Sequence, residues 1–165
     1  MDLYRIARTD NEPWRLLVRL MIGLIVFLPE GIQKLAYPEI LGAGRFVKIG
    51  IPWAQAMGPF VGMVEIVCGT LIILGLFTRL AAIPLIITMI VALISTKLPI
   101  LVGHDVGMFH LSDIKRLGFW SAAHEARNDL TMLLGCIYLL IVGAGGWSLD
   151  RQWFGRRALS APFRG

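Results

Sequence analysis

Residues 19–35, RLMIGLIVFLPEGIQKL, decide the fold of this chain, because they combine the apolar character of a membrane span with charged side chains. A helix in hydrocarbon keeps charged groups only where they find partners or water. At about 100° per residue, an arc of roughly 80° on this helix contains Arg19, Gly23, Phe27, Glu30 and Lys34. This arc is therefore predicted to face the interior of a helical bundle.

The composition is that of a membrane protein. Of the 165 residues, 56% are hydrophobic and only 16% are charged, whereas soluble domains have roughly 45–50% apolar residues. The net charge of +5 would also suit a nucleic-acid-binding protein, but the basic residues cluster at the ends of apolar blocks, where they set membrane topology. We therefore predict a lipid bilayer as the partner of this chain, and no nucleic acid.

Four membrane spans are expected, at about residues 14–36, 53–77, 80–102 and 126–146, each near the ~20 residues that a bilayer requires. They predict an all-α, integral membrane four-helix bundle in a single domain, 1–165. Arginines are concentrated at both termini, which predicts by the positive-inside rule that both termini are cytoplasmic. Residues 103–125 would then form an outer loop and residues 147–165 a basic cytoplasmic tail.

The second span places a carboxylate on a stripe of small residues. One arc of its helix contains Ala54, Gly58, Gly62, Glu65, Gly69 and Ile72. The GxxxG pair Gly58 and Gly62 permits close approach of a neighbouring backbone, either within the chain or in a homodimer. Glu65 would then be buried near mid-membrane, either as a proton carrier or as a neutral or salt-bridged clasp between helices.

Two further polar positions have alternative interpretations. Glu30 and Lys34 have the spacing of an intrahelical ion pair, although Pro29 would disturb the helix there and favour a functional site. Asp129 is interpreted either as a helix-start carboxylate favoured by the helix dipole or as a partner of Lys34 in a polar cluster of the outer half. Cys68 and Cys136 lie in apolar blocks without a CxxC motif and are predicted to be inert packing thiols.

All three histidines lie in the predicted outer loop. His104, Met108 and His110 have donor atoms suited to a metal, but their spacing favours ordinary loop packing, and no metal site is predicted. His124 is the better acid or base candidate, because a carboxylate neighbour, Glu125, can hold one tautomer of the ring.

Three motifs in order resemble the DoxX family of small four-span membrane proteins: RLMIGLIVFLPEGIQKL, EIVCGTLIILGLFTRLAAIPL from Glu65, and HEARNDLTMLLGCIYLLIVGAGGWSLD from His124. The resemblance implies a four-helix bundle in a bacterial or archaeal cytoplasmic membrane. It also implies association with quinone chemistry and oxidative-stress complexes, as for the related DoxD subunit of a thiosulfate:quinone oxidoreductase. By this analogy the recurrent polar positions are Arg19, Glu30, Lys34, Glu65, Arg79 and Asp129.

The leading hypothesis is a membrane subunit of a redox-linked complex that holds a quinone, with Glu65 or Glu30 as proton donor or acceptor. Quinone reduction takes up protons as well as electrons, so a buried carboxylate beside an apolar slot suits it. No Cys cluster, haem ligand pair or nucleotide-binding loop is visible in the sequence. A redox partner protein would therefore supply the electrons, and a homo-oligomer is the other assembly considered.

The alternative function is a non-catalytic scaffold or a small-solute, proton-coupled carrier, and the sequence does not decide whether the chain is an enzyme.

Overall fold

The computed structural model describes residues 11–155, and this part of the chain is helical with irregular connections. Four long helices and one short helix are α1 (Arg15–Ala36), α2 (Ala43–Lys48), α3 (Ala54–Leu74), α4 (Thr78–Val102) and α5 (Phe119–Val142). A final helical turn covers Arg151–Gly155. Residues 103–118 are irregular apart from a turn closed by backbone hydrogen bonds between Val106 and Phe109.

Three helices, α1, α3 and α4, are long and apolar enough to cross a membrane. The 24-residue α5 carries charged residues in its first half and an apolar second half, and it packs along α4 to complete the bundle. The predicted fold class, an all-α membrane four-helix bundle, is confirmed. Because α5 begins at Phe119 rather than near residue 126, the helix includes the end of the predicted outer loop.

The long helices are arranged in a ring in which α1 packs on α3, α3 on α4, and α4 on α5. The contact that closes the ring, between α1 and α5, involves the first half of α1, where Ile22 lies against Gly135. We call the end of the bundle with the α3–α4 turn the inner end. The opposite end, formed by residues 37–53 and 103–118, is the loop side.

The hydrophobic core occupies the inner half of the bundle. Its fully buried side chains come from all four long helices and include Ile22, Val26, Ile72, Leu85, Met89, Met132, Cys136 and Leu139. Cys68 belongs to the same cluster, and both cysteines are free thiols. The loop-side half is less completely filled, and this difference locates the cavity described below.

Small residues on α3 bring α1 into close contact. All six residues of the predicted stripe are buried, including Glu65. A Cβ atom on Gly69 would lie 3.1 Å from the Phe27 Cβ atom and 3.2 Å from the Gly23 carbonyl oxygen. Gly62 faces Lys34 in the same way, and Gly58 faces Ala43 of α2. The GxxxG stripe is therefore occupied within the chain rather than left open for a second copy.

The inner end is closed by the segment that follows α5. The Asp150 carboxylate accepts hydrogen bonds from the backbone N–H groups of Phe77 (2.7 Å) and Thr78 (3.2 Å), where α4 begins. The Arg19 side chain, 1% exposed, donates to the Trp147 carbonyl oxygen at 2.5 Å. Residues 147–150 are therefore part of the folded bundle. The remainder of the predicted basic tail, from residue 156 onward, lies outside the described residues.

The turn between α3 and α4 depends on one glycine. Gly75 has a φ angle of 68°, and the Leu76 N–H donates to the Leu71 carbonyl oxygen at 2.9 Å, the bond that defines a Schellman motif. Its Cα atom lies against the Arg19 guanidinium group, where a Cβ atom would clash. Gly75 therefore ends α3 and makes room for a buried arginine.

We expect Gly69→Leu to lower the thermal stability of the purified protein, because the new side chain would overlap the backbone of α1. Overpacking of this kind costs about 1–3 kcal/mol, or more where backbone must move. The measurement is thermal unfolding in detergent. Val67→Leu, on the exposed face of the same helix, is the matched control and should leave the midpoint unchanged; equal midpoints for both variants would contradict the close approach of α1 and α3.

We expect Asp150→Ala to destabilise the inner end, because the first N–H groups of α4 would lose their acceptors. Loss of a helix cap costs about 0.5–2 kcal/mol. The variant would also remove the negative charge that interacts electrostatically with Arg19. Hydrogen exchange of the amides at residues 77–79 should accelerate. Asp113→Ala, at an exposed position on the loop side, should not change this exchange, and protection that survived in Asp150→Ala would exclude the capping role.

Candidate functional site

A cavity of about 370 Å³ lies in the loop-side half of the bundle. All four long helices and the segment around α2 contribute to its wall. The ionisable lining residues are Glu30, Lys34, Arg45, Glu65, Lys97, Glu125 and Asp129. The wall also contains hydroxyl groups and many apolar side chains, so the cavity offers both polar and hydrophobic surface to a ligand.

Lys34 connects the two carboxylates that the sequence identified as candidates. Its Nζ atom lies 2.9 Å from the Glu30 Oε2 atom and 3.1 and 2.8 Å from the Glu65 Oε1 and Oε2 atoms. Glu65 is 1% exposed, whereas the Lys34 and Glu30 side chains are 12% and 30% exposed. We call these three residues the Lys34 cluster; it combines the predicted intrahelical pair with an ion pair between α1 and α3.

The glycine stripe explains why this ion pair forms. Gly62 lies against the Lys34 Cβ atom, and Gly31 of α1 lies against the backbone of Ile66. Without side chains at these positions, the two helices approach closely enough for Lys34 to reach across to Glu65. Each charge then compensates the other in a region where an unpaired charge would be costly.

A second ion pair lies on the opposite wall of the cavity. The Lys97 Nζ atom of α4 is 3.3 Å from the Asp129 Oδ2 atom of α5, and the two side chains are 13% and 14% exposed. Neither interpretation gave the contact that Asp129 makes, although Asp129 does line the same cavity as Lys34. Asp129 lies well inside α5, which begins at Phe119, so it is not a helix-start residue, and its ion-pair partner is Lys97 rather than Lys34.

Both walls contain a widened helical turn. The α-helical geometry of α1 is interrupted by a π-helical segment, Val26–Ile32, and that of α4 by another, Leu93–Lys97. Pro29 lacks a backbone N–H and so cannot donate the regular bond in the first segment. In the second, the Thr96 hydroxyl group donates to the Ala92 carbonyl oxygen at 2.6 Å. These segments present Glu30 and Lys97 to the cavity, in keeping with the frequent occurrence of π-bulges at functional sites.

Three of the residues that the sequence grouped with the site lie elsewhere. Arg19 is at the inner end, with Asp150. The Arg79 guanidinium group donates to the Ile141 carbonyl oxygen at 3.0 Å, and thus binds the C-terminal end of α5. His124 is exposed and does not line the cavity. The sequence placed Arg19 and Arg79 towards the inner end and His124 on the loop side, but it still grouped all three with the polar cluster, whereas none of them lines the cavity.

The histidines of the loop side interact locally. The His110 Nδ1 atom lies 3.0 Å from the Asp105 Oδ2 atom, and the Leu111 N–H donates to the Asp105 Oδ1 atom at 2.7 Å. The Leu111 N–H and then the His110 ring hold the pKa of Asp105 below its usual value. His104 contacts the Asp105 backbone, and within residues 11–155 no group of three or more His, Cys, Asp or Glu side chains is arranged to hold a metal ion.

Several lining residues were not selected from the sequence as site candidates. Lys97, Arg45, Glu125 and Asn128 all contribute to the cavity wall. Lys97 gave the clearest signal, because it lies inside a predicted span and had no assigned partner. The other three were assigned to loops or overlooked, since only the tertiary structure brings them over the ends of α1 and α3.

The arrangement supplies two chemical capabilities. Carboxylates that lie beside ammonium groups in a cavity can exchange protons with a ligand. The apolar wall can at the same time hold a ring by exclusion of water. The Lys34 cluster is the centre of the site, because Glu65 is its most buried ionisable group and contacts both the cavity and α1.

We expect Lys34→Met to destabilise the protein strongly, because it leaves Glu65 buried without a cation. Breaking one side of a buried pair costs about 3–5 kcal/mol. The double variant Lys34→Met with Glu65→Gln should recover much of the lost thermal stability, since no buried charge remains unpaired at that contact. A double variant that is less stable than Lys34→Met alone would contradict the pairing.

Comparison with known proteins agrees with this architecture. Residues 14–98 match the family profile described as DoxX. The chain is also similar to the uncharacterized membrane protein Rv3486 of Mycobacterium tuberculosis, with 51% identity over 149 residues, which cover 90% of this chain and 86% of the relative. No solved structure matches the chain. The profile match includes α1, α3 and most of α4, and thus both members of the Lys34–Glu65 ion pair. From this match and the close relative we conclude that the chain is a membrane protein of the DoxX family.

Proposed function

We propose that the protein is the membrane subunit of a redox-linked, quinone-associated complex. Its cavity would hold a quinone-like ring, and Glu65 and Glu30 would handle the protons of the reaction. The observation that carries this proposal is the combination, in one cavity, of an apolar wall that extends to the lipid-facing surface and a buried cluster of carboxylates around Lys34.

The apolar wall suits a ligand that arrives from the bilayer. Phe60 of α3 and Ile87 and Val91 of α4 line the cavity, yet they are 59%, 57% and 43% exposed. These residues lie in the apolar spans, so their exposed surface faces lipid. The cavity volume of about 370 Å³ also falls within the range of about 300–1,000 Å³ typical of small-molecule sites. A lipid-soluble ring would therefore approach the cavity from the bilayer, on the side of α3 and α4, without crossing water.

The ion pairs are suited to the proton transfers of quinone reduction. Reduction of a quinone to a hydroquinone consumes two electrons and two protons, and each carbonyl oxygen becomes a hydroxyl group. Lys34 can donate a hydrogen bond to a ring oxygen, while the Glu65 and Glu30 carboxyl groups supply or accept the protons. The electrons would come from a partner protein that carries a flavin, metal or thiol centre, and this chain would position the ring.

We place the protein in a bacterial or archaeal cytoplasmic membrane, and the distribution of basic residues supports an orientation with the inner end towards the cytoplasm. Arg15 and Arg79 lie at the inner end, where they donate to the last carbonyl groups of α5. The terminal segments of the sequence contain further arginines, at positions 5, 8, 151, 156, 157 and 164. In this orientation the loop side faces the cell exterior or periplasm.

A second candidate function is favoured because Glu30, Glu65 and Asp129 each contact a lysine within the protein. Lys34 bridges Glu30 and Glu65, and Lys97 pairs with Asp129, so these contacts already tie neighbouring helices together. A non-catalytic scaffold, or a carrier that relays protons with a small solute, would use the same contacts as clasps between helices. The two functions differ in whether a ring occupies the cavity and whether its binding depends on Glu65.

We expect a quinone to copurify with the wild-type protein at close to one molecule per chain, and Glu65→Gln to lose it. Glutamine keeps the volume and a hydrogen-bond acceptor for Lys34 but removes the charge and the transferable proton. The measurement is extraction of the purified protein with organic solvent, followed by ultraviolet absorption and mass spectrometry of the extract.

The matched control is Glu39→Gln, the same chemical change at an exposed position outside the cavity, which should keep the quinone. Thermal unfolding confirms that all three proteins are folded. Folded wild-type protein that retains lipid but contains no quinone would contradict the redox function and favour the scaffold or carrier.

A further inference from the structure

We propose that the Lys34 cluster exchanges water and protons with one side of the membrane only, through a polar mouth on the loop side. The mouth consists of Arg45, Glu125 and Asn128, which line the cavity and are exposed. The access route rests on the packing of the two ends and on the polar groups that line the cavity; only its use for quinone protons rests on the function proposed above.

Ionisable groups connect this mouth to the floor of the cavity. Glu125 is exposed, the Glu30 side chain is 30% exposed, Asp129 is 14% exposed and Glu65 is 1% exposed. Together these carboxylates lead from the loop-side surface to the most buried acid. The hydroxyl groups of Thr88, Ser95 and Thr96 also line the cavity, so water within it has hydrogen-bond partners.

The route from Glu65 to the inner end is closed, although it is about as short as the route to the loop side. Glu65 is the twelfth of the 21 residues of α3, so at about 1.5 Å per residue it is nearly equidistant from the two ends of that helix. Below it, the interior is filled by Cys68, Ile72, Met132, Cys136 and Leu139, each no more than 8% exposed. A proton carrier or water file has no polar partner in that layer.

The inner end is closed a second time by the segment after α5. Asp150 is hydrogen-bonded to the start of α4, and Arg19 is buried against Trp147 and Gly75. The two ends of the bundle therefore differ in packing: a hydrophobic layer and a hydrogen-bonded clasp at the inner end, and a polar cavity at the loop side. This asymmetry makes access to Glu65 one-sided.

One-sided access fixes the direction of proton movement. For each quinone reduced, two protons would leave the water on the loop side, while two electrons arrive from the partner's redox centre. Oxidation of the hydroquinone would release two protons to the same side. We assign proton passage to Glu125, in the mouth, and to Asp129, deeper in the cavity wall, because both carboxylates line the cavity that contains the cluster.

The test uses single cysteines in the cavity and a membrane-impermeant, cationic methanethiosulfonate reagent. Thr88→Cys and Ala92→Cys place a thiol in the cavity wall, Met108→Cys marks the loop side, and Asn11→Cys marks the inner end; both reference positions are exposed. Each variant is treated in intact expression-host cells and in inverted membrane vesicles, and peptide mass spectrometry then locates the modification. Both cavity cysteines should be labelled in the preparation that labels Met108→Cys and not in the one that labels Asn11→Cys.

Two further labelling measurements serve as controls. The native Cys68 and Cys136, which are buried in the hydrophobic layer, should stay unmodified in both preparations. Asn128→Trp, which adds bulk at the mouth, should slow labelling of Thr88→Cys without changing that of Met108→Cys.

Labelling of the cavity cysteines from the Asn11 side, from both sides, or from neither side in folded protein would overturn the inference. The reagent needs no quinone to react, so the result is independent of the copurification experiment. One-sided labelling together with an empty wild-type cavity would reject the redox function while keeping the access route. Quinone in the wild-type protein together with labelling from the inner end would support the redox function and reject the access route.

Discussion

Compensation of the Glu65 charge by Lys34 is the interaction on which the rest of this bundle depends. A carboxylate in the middle of a membrane helix is tolerated only with a partner, and here the partner belongs to a different helix. The ion pair requires α1 and α3 to approach closely, and the approach requires glycine at positions 23, 31, 62 and 69. The small residues of α1 and α3 are thus needed for the buried ion pair to form.

The same requirement divides the bundle into two unlike halves. In the inner half, α1 also contacts α5, and apolar side chains from four helices fill the interior. In the loop-side half, the walls carry two ion pairs whose charged groups line a cavity. A buried charge needs its hydrogen-bond partners, and the two ion pairs lie on separate walls with the cavity between them. The site is a consequence of where the charges lie along the helices.

The inner end shows how the chain after α5 contributes to the fold. Its GGWSLD motif returns to the α3–α4 turn. There the Asp150 carboxylate accepts hydrogen bonds from two backbone N–H groups, and the Trp147 carbonyl oxygen accepts one from Arg19. These contacts join the start of α4, the buried arginine of α1 and the segment after α5 around the short α3–α4 turn. The conspicuous sequence of this segment is explained by helix capping and by burial of an arginine, rather than by participation in the cavity.

The sequence by itself determined the membrane character, the approximate helices, and the inward faces of α1 and α3, because hydrophobic length and helical periodicity are local properties. It also identified Glu30, Lys34, Glu65 and Asp129 as costly residues that require partners. Only the tertiary structure decided which partners they have. Lys34 reaches Glu65, Asp129 pairs with Lys97, and Arg19, Arg79 and His124 lie outside the cavity. Periodicity fixes the face of a helix on which a residue lies, but the neighbour of that face depends on the order, depth and splay of the packed helices, which no local pattern encodes.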